Sequence, residues 1–513
     1  MNENLQELLT NLPAYLGGHV LLSTTALLAA VAVSLPLGVA VSRRPKLAEY
    51  ALASAGAIQT VPSLALLALM MLLLGGTIGF WPAFFALLLY SILPVLSNTV
   101  VALRGVDPAL IEAARGLGMS ARQVLWRVEL PLAAPVILGG VRTAAVMAVG
   151  TATLATPVGG VSLGNYIFAG FATLNHTSTL FGCAAAAVLA VALDQLVRLF
   201  EVAIRRRSRS LACAACAALV VLVAGALYEP ISRLFGGSSH AAVASAAFNE
   251  QYILSHAMSE HLEQAGFRSE RRQGMGYGVQ HLALQRGEVD CMVAYTGDVW
   301  TLLMKRQDTV DRETTLNEVS RFIEGEFGAV CLGPLGFENR FAIAVTQQRA
   351  IGSGVKTIAD LADFTRTKLR RPLKIGADTG FFHQKEWRRL KDAYRLRDED
   401  VLAVAMDPTL MYGAVSEGTV DAIVAFSSDG RIKERELVLL RDSAQVFPPY
   451  DAILLVSRDA AGRPGFVDAL RPLVGAIKQD RMQEANRRVD VEKQSPATVA
   501  RWLLSARSNS LAP

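Results

Sequence analysis

The stretch Glu112-Ala113-Ala114, three residues, Gly118, nine residues, Val128-Glu129-Leu130-Pro131 is the most informative part of this 513-residue chain. Two adjacent small alanines give a helix a surface that another chain can approach closely. Gly118 lets the backbone turn where a side chain would clash. Pro131 suits the first turn of a following helix. Arg115, Arg122 and Arg127 make the segment basic, and an apolar run lies on each side of it, Trp81–Leu103 and Ala133–Val158. At 1.5 Å per residue, runs of more than about 20 residues span a hydrocarbon layer of about 30 Å. The segment therefore reads as a polar loop between two membrane spans.

Four further apolar segments complete a set of six: Val20–Val41, Ala48–Leu74, Leu180–Ile204 and Leu211–Tyr228. Asp194 and Arg198 sit near the end of the fifth span, and the sixth is short. Basic residues cluster in alternate loops. Arg43, Arg44 and Lys46 follow the first span, Arg104 to Arg127 the third, and Arg205, Arg206, Arg207 and Arg209 the fifth. The loops Gly75–Phe80 and Gly159–Thr179 have no Lys or Arg. The excess of cytoplasmic Lys and Arg then predicts an external N-terminus, cytoplasmic basic loops, and everything after Tyr228 on the outside. Glu3 and Glu7 stand where a cleavable leader would be basic, so the first span is expected to stay in place.

Composition divides the chain at the same place. Up to Pro230 it holds 13 Lys and Arg against 9 Asp and Glu; Ile231 to Pro513 holds 37 against 36. The overall charge of +5 thus reports membrane topology in the first part and near-neutrality in the second, and gives no case for nucleic acid. Gly236-Gly237-Ser238-Ser239 is expected to link the parts. Beyond it, Val289–Tyr295, Phe341–Val345, Leu373–Ala377, Val420–Phe426 and Ala452–Val456 read as buried strands. Helical patterns at Glu250–Ala265 and Glu386–Tyr394 lie between them. Alternating strands and helices predict an α/β domain of two lobes.

The loop with Glu112, Ala113, Ala114, Gly118, Leu130 and Pro131 resembles the EAA loop of ABC importer permeases, with every spacing kept. The resemblance implies that it docks on a separate cytoplasmic ATPase. Gln59-Thr60-Val61-Pro62-Ser63-Leu64-Ala65, Leu93-Pro94 and Asn98-Thr99 resemble the permeases for quaternary-amine osmoprotectants, over residues 20–204. In the second part, Ala247–Gln251, Tyr295-Thr296-Gly297-Asp298, Gly333–Phe337, Met406-Asp407-Pro408 with Leu410–Tyr412, Phe426–Arg431 and Phe447–Asp451 resemble the binding proteins for glycine betaine and choline.

The fold so implied is a polytopic helical permease of the type I importer class over residues 1–210. A transmembrane helix and linker follow over 211–240. Then comes a two-lobed periplasmic-binding-protein-like domain over 241–513, its lobes formed by 241–342 with 446–513 and by 343–445. The resemblance also implies a bacterial inner-membrane transport subunit, not an enzyme, with no cofactor or metal of its own. Its partners would be an ATPase and a second copy of itself, because about five core spans are half of such a pathway.

The resembled binding proteins hold a trimethylammonium head in an aromatic cage. By motif position the cage here is Tyr295, Phe341, Tyr412 and Phe426, with Gln251 at the ligand's polar end. Ring faces suit a quaternary ammonium, which has no N–H to donate; each contact is worth about 0.5–2 kcal/mol. The stretch Gly376–Trp387 departs from the family pattern. Asp298 stands where many resembled binders have Thr. An ionised Asp only accepts hydrogen bonds, so it favours choline over glycine betaine; the plainer role is to cap the following helix. Choline, glycine betaine, carnitine and ergothioneine all remain open as cargo. A membrane-anchored sensor is the alternative of another class, and the ATPase-docking loop speaks against it.

Several patterns are set aside. Gly352-Ser353-Gly354-Val355-Lys356-Thr357 lacks the end of a phosphate-binding loop. Gly160-Val161-Ser162-Leu163-Gly164 follows a membrane span and lacks the strand and helix of a nucleophile elbow. Gly274–Gly278 is a glycine-rich turn, and His256 with His261 is badly spaced for a metal. Cys213 and Cys216 lie in an apolar run, and a Cys291–Cys331 disulfide is left open.

Overall fold

The computed structural model describes residues 3–172, 175–235, 240–306, 308–369, 371–378, 380–383, 385–406 and 408–505. The expected linker at 236–239 lies outside the described residues. The chain divides into two compact units, taken here in turn.

The first unit is helical. Its elements are α1 (Glu3–Ser42), α2 (Pro45–Thr60), α3 (Ser63–Leu73), α4 (Phe80–Arg104), α5 (Pro108–Gly116), α6 (Ala121–Val124), α7 (Leu130–Ala152), α8 (Gly164–Ala172), α9 (His176–Arg205) and α10 (Arg209–Phe235). Among the described residues, five helical stretches are long and apolar enough to cross a membrane: Leu8–Ser42, Phe80–Arg104, Ala121–Val158, His176–Arg205 and Arg209–Leu227. The predicted second span, Ala48–Leu74, is apolar enough to cross a membrane but is broken within. It is two helices, α2 and α3, meeting at 102°.

Pro62 explains the break, since the residue before a proline is driven from the helical region, and Val61 sits at φ −70°, ψ 129°. In lipid every freed backbone group needs a partner. The Tyr90 hydroxyl donates to the Val61 carbonyl. Pro94 lacks the N–H that would have bonded the Tyr90 carbonyl, and Gln59 Nε2 donates there instead, at 2.9 Å. The motifs around Gln59 and Pro94 are thus two halves of one brace.

α1 packs on α4, α4 on α7, and α7 on α9. The α4–α7 crossing is close. A Cβ on Gly140 would stand 2.6 Å from the Pro94 carbonyl oxygen, so only glycine fits. Ser162 is buried and its Oγ accepts from the Gly164 N–H at 3.0 Å, which makes it a turn residue.

The second unit has two five-stranded sheets. The first has the order β2 (Arg268–Met275), β1 (His240–Ala246), β3 (Cys291–Tyr295), β10 (Asp451–Val456), β4 (Val330–Glu338). The second has the order β7 (Val401–Ala405), β6 (Leu373–Ala377), β8 (Ala422–Phe426), β5 (Phe341–Thr346), β9 (Leu437–Leu439). In each, parallel strands (β1–β3; β7–β6–β8) meet a strand laid antiparallel: β10 beside β3, β5 beside β8. The chain passes between the sheets after β4 and again between β9 and β10. Ile253, Val293, Leu454 and Phe466 belong to one core, and Val345, Leu361, Ile375 and Val424 to the other.

All five predicted strands are present, as β3, β5, β6, β8 and β10. Both predicted helices are present as Asn249–Gln264 and Lys385–Ala393. Cys291 pairs with Val456, and Cys331 with Leu455, so β10 lies between the two cysteines. Two strand spacings of about 4.8 Å exceed the reach of a disulfide, and both thiols are free.

Candidate functional site

Strand pairing builds the aromatic part of the site. Phe341 opens β5 and Phe426 closes β8, and the antiparallel register sets them opposite one another. Their ring centroids are 5.1 Å apart. Phe381 lies 5.2 Å and Phe447 6.3 Å from Phe341. Trp387 extends the cluster, 6.3 Å from Phe381 and 5.1 Å from Phe382. Phe426 remains 39 % exposed at the edge, so its ring is open to solvent. Phe381 and Trp387 fall in the stretch that departed from the resembled pattern. Their signal was the local density of aromatics.

Tyr295 and Asp298 come from the other sheet, at the end of β3. Tyr295 is buried and donates its hydroxyl to Glu250 Oε1 at 2.5 Å. The Phe248 ring, partly exposed, is 6.2 Å away and widens the aromatic surface. Asp298 caps no helix, and among the described residues none donates a hydrogen bond to its carboxylate. Burial pushes its pKa up to about 6. The Tyr450 ring packs on Gly297, leaving no room for a Cβ there. The Tyr450 phenol is raised by burial and by the nearby charges of Asp298 and, from the other lobe, Glu386. Phe447 and Tyr450, three residues apart, thus tie the aromatic cluster to the Asp298 side.

Glu250 is a node that sequence reading passed over, although it lies inside a quoted motif. It is buried, and it accepts from Tyr295, from Asn339 at 3.2 Å and from Asn486 at 2.8 Å. Burial raises its pKa against these hydrogen bonds. Asn339 lies on the passage between the sheets, and Asn486 also donates to the Ser428 carbonyl beyond β8 at 2.8 Å. The network therefore sets how the two lobes meet.

Two predicted residues sit differently from the cage. Gln251 is buried and gives its amide to the Val293 carbonyl at 3.1 Å, which orients β3. Tyr412 is buried on the helix Pro408–Ser416, and the Arg431 guanidinium lies 4.1 Å over its ring. That face is already taken by a cation, itself paired with Asp429 at 2.7 Å. Phe341 and Phe426 come together; Tyr295 and Asp298 share the end of β3.

The basic loop of the first unit is equally defined. Asp107 caps α5 by accepting from the Ala109 N–H at 2.9 Å. Gly118 turns the chain at φ +80°, and Ser120 with Gln123 forms a capping box for α6. One turn of π-helix, Leu125–Glu129, joins α6 to α7, which Leu130 and Pro131 begin. Glu129 is buried and bonded to Arg43 at 2.9 Å. Glu112 and Ala113 face out, whereas Ala114 is only 5 % exposed and packs inward. Of the two alanines only Ala113 is open to approach, in a loop where Leu117 is 80 % exposed and Trp126 63 %. Neither of those apolar residues was singled out from the sequence.

Comparison with known proteins gives two family matches. Residues 241–506 match the substrate binding domain of ABC-type glycine betaine transport system, and residues 30–210 match the binding-protein-dependent transport system inner membrane component. The chain is 32 % identical over 464 residues to the ergothioneine transport permease/ergothioneine binding protein of Helicobacter pylori (strain G27), covering 87 % of this chain and 81 % of that protein. It is 41 % identical over 183 residues to a choline transport system permease protein of Bacillus subtilis (strain 168), covering 36 % of this chain and 83 % of that one. A solved glycine betaine/carnitine/choline ABC transporter structure aligns with a TM-score of 0.49 at 24 % identity, over 52 % of this chain and 98 % of that chain.

Proposed function

We propose, because this chain belongs to the family of ABC importer permeases fused to a glycine-betaine-type substrate-binding domain, that its cargo is a trimethylammonium compound carrying a hydrogen-bond donor. The chain is a transport subunit of the inner membrane with an external binding domain; it is not an enzyme, and ATP is hydrolysed by a separate subunit.

Ergothioneine, which has ring N–H groups beside its trimethylammonium, is the first cargo to test, and choline, with its hydroxyl, the second. The observation that carries the reading is the open Phe426 ring on the cluster around Phe341, together with Asp298 at the end of β3, to which no described residue donates. Rings supply the face that a quaternary ammonium needs. Asp298 supplies an acceptor and a charge of the right sign. The extended likeness to an ergothioneine carrier, across both units, supports the order of testing.

Calorimetry on the detergent-solubilised chain tests it. Ergothioneine or choline should bind, and Phe426→Ala should weaken binding about 2- to 30-fold, the cost of one cation–π contact of about 0.5–2 kcal/mol. Binding unaffected by Phe426→Ala, or none for either compound, would refute the reading.

Two copies of the chain with two ATPase subunits complete the transporter in this proposal. The support is the span count among the described residues: five helices, six with the bent pair, make half of a pathway of the type I class. A native mass measurement in detergent should find two copies of this chain per complex. One copy would sink the homodimer.

A further inference from the structure

We propose that the membrane unit holds a second, transient cargo site, built on the ion pair between Arg142 of α7 and Asp194 of α9; this rests on the reading of the cargo as a trimethylammonium compound. Arg142 is twelve residues past Leu130, or about 18 Å along the helix. Asp194 is eleven residues before Arg205, or about 16 Å in. Both therefore lie within a hydrocarbon layer of about 30 Å. Arg142 Nε donates to Asp194 Oδ1 at 2.8 Å and its Nη2 to Oδ2 at 2.9 Å. Gln195 Nε2 also donates to Oδ2, at 3.2 Å, and Glu201 stands 3.9 Å from Arg142 Nη1.

The pair is not sealed between the helices. The Arg142 side chain is 35 % exposed and that of Asp194 is 20 %. With Gly139, Thr143, Val146 and Met147 they line a hollow of about 420 Å³ on the surface of the unit. A clamp holding α7 to α9 needs neither the exposure nor the hollow. Charges at that depth are costly against acyl chains and mark solute paths or protein contacts. This face of α7, which also carries Leu132, Val136 and Gly150, therefore looks onto water or protein.

The hollow falls within the ordinary range for small-molecule sites, about 300–1,000 Å³. Among the described residues no aromatic lines it, so a quaternary ammonium would be held by charge alone, from Asp194 with Glu201 nearby, and against the positive charges of Arg142 and Arg198. Such a hold is weak, as a site that must release its cargo requires. Arg142 offers the opposite charge to a carboxylate in a zwitterionic cargo.

The test places a cysteine at Thr143 in a chain whose five native cysteines are replaced by serine, reconstituted with its ATPase in vesicles. A water-soluble thiol reagent with a trimethylammonium head should react. Saturating choline or ergothioneine should slow that reaction at least threefold, and Asp194→Asn should abolish the protection while calorimetric binding of the same compound to the external domain stays unchanged. No reaction, or protection that survives Asp194→Asn, overturns the site. A second variant, Arg142→Asp with Asp194→Arg, keeps a clamp but reverses its polarity. Cargo flux should fall at least tenfold, and normal flux would reduce the pair to a structural clamp. If the unmodified chain binds no trimethylammonium compound in calorimetry, the cargo reading itself has failed, which is a separate result.

Discussion

Chains carrying Leu117→Asp or Gly118→Trp should bind cargo normally yet lose cargo-stimulated ATP hydrolysis and transport. Leu117 is the most exposed large apolar residue of the basic loop, and it is the residue that a docking ATPase would be expected to bury. A buried interface anchor is worth about 1–2 kcal/mol or more on truncation, and burying a carboxylate in its place adds a desolvation cost. Gly118 acts by another route. At φ +80° any other residue pays about 1–3 kcal/mol of backbone strain, so tryptophan both distorts the turn and adds bulk where the partner approaches. A charge at Ala114 tests something else. Ala114 is buried within the loop, so a charge there disturbs the loop's own packing. The decisive measurement pairs ATPase activity in vesicles with cargo affinity for the same variants. Full stimulation by cargo in both variants would remove the loop from coupling.

The spans and half the strands were legible because their physics is local. A run such as Trp81–Leu103 needs no partner to declare itself, and Ala422–Phe426 is apolar from end to end. The other strands were hidden for identifiable reasons. β1 is alanine-rich, with weak strand preference. β2 reads RSERRQGM, with no apolar alternation. β4 holds two glycines with positive φ, Gly333 and Gly336, that suggest turns. Each becomes a strand because its neighbours offer an edge, which is tertiary information. The bend at Val61-Pro62 was written in the sequence as a proline. Its tolerance within a membrane depends on Gln59 and Tyr90, 31 residues apart, and that pairing is visible only in the fold.

The site divides in the same way. Phe341 and Phe426 could be placed by motif because strand register then sets them opposite one another. Tyr412 was equally well marked, but whether its ring face is free depends on Arg431, which arrives from a separate helix. Glu250 sat inside a quoted motif and was overlooked because an isolated glutamate carries no sign that Tyr295, Asn339 and Asn486 will converge on it.

Glycine betaine should bind more weakly than choline, and Asp298→Thr should narrow the gap. The ionised Asp298 attracts the shared trimethylammonium head and accepts from a hydroxyl or ring N–H. Glycine betaine has no such donor, and its carboxylate is one carbon from the cation; ergothioneine has the same carboxylate beside its ring N–H, so choline against betaine is the comparison that isolates the charge. Two like charges about 4 Å apart repel by roughly 1–4 kcal/mol, depending on the local dielectric, which is about five- to several-hundred-fold in affinity. The same group gives the preference a pH signature. Burial raises its pKa from 3.8 to about 6, so the cargo-free protein is relatively stabilised toward acid over that interval and loses this contribution as pH rises through about 6. Cargo affinity runs the other way. As pH falls through about 6, Asp298 takes up a proton, the attraction disappears, and a permanent cation binds more weakly. Calorimetry of the three compounds at pH 5 and pH 7.5 should show choline affinity rising with pH in the unmodified chain and flat in Asp298→Thr. Equal affinities for choline and betaine at pH 7.5, or a pH response that survives the substitution, would move the selectivity to other residues.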